Sequence, residues 1–133
     1  MEKTIEELLR EPCRIIDIFP ERVPAERASQ FFAAEKYFLD EPRLAGIKQK
    51  HISLVLKLGC YIDLSIDEGE TVNPPPEVLA EAMRTRHVCI LADGALIVSE
   101  KDDTHLSVFG AGERLLELIG KLAAGEGLFV WKA

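Results

Sequence analysis

Glu35 is the residue whose surroundings most invite chemistry. On a wheel of about 100° per residue, Ala28, Phe31, Phe32, Phe38 and Leu39 form one stripe of the helix expected from Ala25 to Leu39, and Glu35 falls in the middle of it. An ionised carboxylate on a core-facing stripe is costly unless it has a partner, a raised pKa or an opening to water. His51 is the first candidate partner. It lies mid-stripe on the next expected helix, and a carboxylate facing an imidazole is a pairing that general acid–base catalysis uses. The spacing works against direct contact: counted from Asp40, the two differ in depth by roughly 9 Å along an αα-hairpin. Arg14 and Tyr61 are alternative partners, and a cleft beside Glu35 would draw on His51, Asp17 or Tyr61. The commoner roles for such residues are a hydrogen-bonded structural Glu and a satisfied core histidine.

The other constellations are incomplete. Gly110-Ala-Gly112 stands between an expected strand and helix, where free N–H groups can hold a phosphate. Position 115, where a dinucleotide motif would want glycine, is Leu115, and no P-loop Lys-Ser/Thr follows. Glu113 would repel an anion and suits a helix start, so the glycines read as a cap. Asp102, Asp103 and His105 share a turn and His87 and Cys89 share one side of a strand, but neither set has recognised metal-ligand spacing. Asp67-Glu-Gly-Glu70 does not follow the calcium-loop pattern. No metal site and no cofactor motif is therefore expected. Ser99 and Ser107 lie on expected strands outside any Gly-x-Ser-x-Gly setting. His87 could activate the Cys89 thiol, yet Val88, Ile90 and Leu91 favour a buried, inert one.

Charge and composition narrow the function classes. The 133 residues are 47% apolar and 29% charged, the balance of an ordinary globular domain, and they read as one domain from 1 to 133. The net charge of −7 is concentrated in the second part of the chain, where residues 67–133 hold 6 Lys and Arg against 12 Asp and Glu. Such a surface opposes sequence-independent nucleic-acid binding. It would suit a basic protein meeting Asp63, Asp67, Glu68 and Glu70, or the Asp102-Asp103 turn, although most acidic excess serves solubility. Cys13, Cys60 and Cys89 are odd in number and far apart, which suggests free, buried thiols in a reducing compartment. The first residues lack the basic and apolar regions of a signal peptide, and no stretch is apolar enough to span a bilayer. The expected location is the cytoplasm.

The elements that must position these groups are legible in outline. Thr4-Ile-Glu-Glu7 is a capping box opening a short helix that ends at Pro12. Cys13–Phe19 is a β-branched strand, and residues 42–58 fit a helix better than a strand because the helical stripe is longer and Gly59 can end it. Cys60–Ile66 alternates as a half-buried strand, Asp67–Pro76 reads as loop, and a helix covers about Glu77–Arg86. Asp93-Gly94 signals a type I′ hairpin between His87–Ala92 and Ala95–Ser99, and His105–Phe109 completes a three-stranded meander over 87–109. A final helix and a strand at Leu128–Trp131 close the chain. Phe129 and Trp131 share a face of that strand, a core position or a subunit contact. The fold class is α+β, with a mixed, largely antiparallel sheet of about six strands and helices mainly on one face. The leading expectation is non-enzymatic binding of another protein or self-association as a homo-oligomer. The alternative is a small-molecule-binding protein or small enzyme with its cleft near Glu35.

Overall fold

The computed structural model describes residues 3–133. The capping box forms: Thr4 Oγ1 accepts from the Glu7 N–H, and Glu7 Oε1 accepts from the Thr4 N–H, both at 3.1 Å. These bonds satisfy N–H groups at the start of α1 (Ile5–Leu8). Strand β1 (Cys13–Asp17) follows, then a 3-10 turn at Ala25–Arg27, α2 (Ala28–Phe38) and α3 (Glu41–Leu58). The chain continues through β2 (Leu64–Ile66), β3 (Thr71–Val72), α4 (Pro76–Thr85), β4 (Val88–Ala92), β5 (Ala95–Ser99) and β6 (Leu106–Phe109). It ends with α5 (Glu113–Gly125) and β7 (Phe129–Lys132).

The α+β class and the meander stand, and Asp93 and Gly94 take the positive φ values, 48° and 80°, that a type I′ turn requires. Among the described residues the sheet has seven strands rather than six, in the order β3-β2-β4-β5-β6-β1-β7. It is antiparallel throughout rather than mixed. The added strand is β3, inside the stretch expected to be loop. Asp67, Glu68 and Gly69 all adopt positive φ and reverse the chain sharply enough for Thr71 to face Ile66. The α5 crossover returns the chain in the direction of β6 but one strand away, and β1 fills the gap antiparallel to both. Strand β2 is shorter than the alternation suggests. The N–H groups of Tyr61 and Ile62 donate back to the Leu58 carbonyl, so Cys60 and Tyr61 belong to the turn leaving α3.

The two sheet faces have different fates. Ile16, Val88, Ile90, Ala92, Ile97, Leu106 and Val108 point to one side and pack against Ile52, Val55 and Leu58 of α3, Leu79 and Met83 of α4, and Leu115 and Ile119 of α5. On the reverse face Leu8 of α1 is buried and Leu96 is sealed. A Cβ added at Gly110, where φ is +72°, would lie 3.1 Å from Leu8 Cδ2, so this glycine permits the close approach of α1. Helix α2 also lies on the reverse side and has no buried residue. Among the described residues, no helix is long and apolar enough to cross a membrane.

Candidate functional site

Strand alternation creates the site. Ile16 enters the core, so Ile15 and Asp17 project from the reverse face, where β7 sets Trp131 beside Ile15 and Phe129 beside Asp17. The Phe19–Pro24 segment then wraps outward, and α2 comes back over it with Ala28, Phe31, Phe32 and Glu35 on the inner side. Thr104 and His105, immediately before β6, complete the wall. Together these residues enclose an open, largely apolar cavity of about 380 Å³, within the range of small-molecule sites. Phe31 sits between Phe19 and Phe32, with ring centroids 5.7 Å away on each side. The first part of the apolar stripe of α2, Ala28, Phe31 and Phe32, thus faces a cavity instead of the core, and Glu35 lines that cavity.

Asp17 is the chemically unusual group. It is 8% exposed, and its Oδ1 accepts from the Ile18 N–H at 2.7 Å. Burial pushes its pKa up; the Ile18 amide, the charge of His105, the Phe19 amide and the Trp131 indole act in the opposite direction. The indole lies near enough to favour the carboxylate without closing a hydrogen bond, and Trp131 Nε1 is buried with no partner. The cavity therefore holds a buried acceptor with little compensation and a buried donor with none. Three carboxylates line it, Asp17, Glu21 and Glu35, against the Arg22 guanidinium and the His105 imidazole.

His51 is not part of this arrangement. It is fully buried on α3, both ring nitrogens lack partners, and it does not line the cavity. Burial, reinforced by the Lys48 charge, lowers its pKa to about 3, against a weaker opposing influence from the Thr104 backbone. The imidazole is neutral and sealed, and it faces different surroundings from Glu35, which lines the cavity. Lys48 is buried at 4% exposure, and no sequence signal marks it, because a lysine beside an apolar stripe ordinarily reaches water. Its Nζ donates to the Glu100 carbonyl at 2.6 Å and to Ser99 Oγ at 3.4 Å. Burial pulls it down to about 8, while Asp103, Asp102 and Glu100 favour its charge.

The remaining candidates are dispersed. Tyr61 is exposed and borders a separate groove with Asp63, Asn73 and Asp93. Asp63 accepts from Asn73 Nδ2 at 3.0 Å, and Asp67 pairs with Arg86 at 3.2 Å. Glu68 and Glu100 both act on Cys89, and Asp102 and Asp103 act on Lys48 together with Glu100, so the sheet gathers both acidic segments except Asp63 toward one end. Glu70 is exposed next to them in the sequence. The cysteines are not uniformly buried: Cys60 is exposed because β2 starts late, while Cys13 and Cys89 are half-buried on the reverse face. Cys89 Sγ is 3.4 Å from His87 Nε2, whose Nδ1 is 2.5 Å from Glu100 Oε1. Burial and the carboxylates of Glu100 and Glu68 raise the Cys89 pKa, which keeps the thiol protonated. Gly112 is the N-cap of α5 and Gly110 makes room for Leu8. No group of three or more His, Cys, Asp and Glu gathers as a metal-ligand set among the described residues. No family model matches this chain, and no curated protein or solved structure does so either.

Proposed function

We propose that this protein binds a small organic molecule in the cavity between α2 and the β1–β7 edge. The observation that carries this reading is a buried Asp17 carboxylate with an orphaned Trp131 indole N–H close beside it, both on residues that line an aromatic-walled cavity. Uncompensated buried polar groups are costly, and a ligand that completes their hydrogen bonds recovers that cost. Free thiols throughout fit a reducing compartment such as the cytoplasm. Trp131 is the sole tryptophan, so its emission reports occupancy directly. Native mass spectrometry of gently purified protein is expected to show a retained small-molecule mass, with occupancy lower by about tenfold or more in Asp17→Asn. Protein that carries nothing, and whose Trp131 emission is unchanged by a metabolite extract, overturns the reading.

Self-association is a second reading, favoured by surface area. The chain exposes 8070 Å², whereas a folded monomer of 14.8 kDa is expected to expose about 7,000 Å². The excess of about 1,000 Å² resembles what one partner buries in a standard interface. Helix α2 presents apolar surface that could meet a second copy: Tyr37 is 54% exposed and Leu39, just past its end, is 37% exposed. On this reading analytical ultracentrifugation finds a dimer, and the Tyr37→Ser, Leu39→Ser double variant weakens it by about tenfold or more. A wild-type monomer at high concentration removes this reading.

A further inference from the structure

We propose that the occupant of the cavity is an organic cation, an amine or ammonium on an apolar body, with its charge on Asp17 and Glu35 and its body against Phe19, Phe31 and Phe32. The inference rests on the cavity being a ligand site and adds the ligand's charge. Asp17 has the least solvent of the lining carboxylates and only one short backbone bond to hold its charge. A neutral ligand would leave that carboxylate buried without a counter-charge, and an anion would add like charge beside it. Arg22 is exposed, so an anion attracted to it would sit at the rim rather than on the floor. Among the described residues lining the cavity, half-buried His105 acts on Asp17 with a favourable charge, and burial still dominates the carboxyl despite it.

The walls fit the same chemistry. Four aromatic residues line the cavity, and aromatic faces attract a desolvated cation through the ring quadrupole while also burying its hydrocarbon. A carboxylate within such a cage offers an ammonium group a charge-assisted hydrogen bond. The buried Trp131 N–H does not bear on the ligand's charge.

Matched probe series separate this inference from the binding reading. Linear alkylamines of increasing length and 2-phenylethylamine are titrated against Trp131 emission, each beside its alcohol and carboxylate counterpart. Amines are expected to bind at least about tenfold more tightly than the alcohols, and Asp17→Asn should remove this preference. Glu35→Gln, on a helix with no buried residue, is expected to fold normally and reduce the preference about threefold. Alcohols or carboxylates that bind as tightly as the amines overturn the cation while the cavity stands as a ligand site. If no member of any series alters Trp131 emission, the cation falls, and the binding reading is then decided by the metabolite extract alone.

Discussion

Replacing His51 with leucine should remove most of a steep acid limb from the stability curve, a difference on the order of 4 kcal/mol between pH 6.5 and pH 3. The folded-state pKa of about 3 lies below the ordinary 6.5, so within that window the unfolded chain binds a proton that the folded chain refuses. Stability attributable to His51 is therefore fully present above pH 6.5 and is lost as pH falls toward 3. Leucine has no such proton. It also removes two buried nitrogens without partners, so stability at pH 7 should rise by about 1–3 kcal/mol. Urea denaturation of both proteins at several pH values checks this, and the difference between the two curves is the relevant quantity. Other groups titrate in the same range: Asp17, with its raised folded pKa, acts with the opposite sign, but it contributes equally to both proteins. Parallel curves would mean that His51 reaches water or a partner.

The position of His51 shows what a helical wheel conveys. The wheel states which side chains share a face; it does not state what that face meets. For His51 the face meets packed core. For Glu35 an equally apolar stripe meets an open cavity, because α2 lies on the reverse side of the sheet from α3, α4 and α5. The sequence therefore singled out the helix and the residue, but only the three-dimensional path revealed the gap between them and the sheet. Asp17 was legible as a polar interruption in an apolar strand, and strand alternation then placed it opposite Ile16. Phe19 and His105 carry no signal of their own, since each enters the cavity through the path of a segment beyond a strand end. The hairpin at Asp93-Gly94 was plain because glycine relieves positive φ, whereas β3 was hidden because Asp67 and Glu68 adopt positive φ without being glycine. Strand order is a similar case: nothing local in β7 says that α5 carries it past β1's edge rather than β6's.

Two adjacent isoleucines on β1 separate the fold from the site. Ile16 is fully buried between the sheet and the helices, in register with Leu106 and Val130, so Ile16→Ala should cost about 3–4 kcal/mol, the transfer term plus the cavity left behind. Ile15 is half-buried, lines the cavity and lies in register with Ser107 and Trp131, where an alanine enlarges a space that is already open. Ile15→Ala should therefore cost only about 1 kcal/mol, because little close packing is lost. The optical signature should be inverted. Ile15→Ala shifts Trp131 emission to longer wavelength by admitting water beside the indole, and Ile16→Ala leaves the folded-state emission in place. Chemical denaturation followed by emission gives both quantities in one experiment. Equal stability losses would mean that the reverse face is as tightly packed as the core, and an unchanged Trp131 spectrum in Ile15→Ala would mean that the cavity is closed to solvent. The predicted pattern, a large energetic effect on one side of the strand and a large spectral effect on the other, follows from a β-strand that places successive side chains on opposite faces.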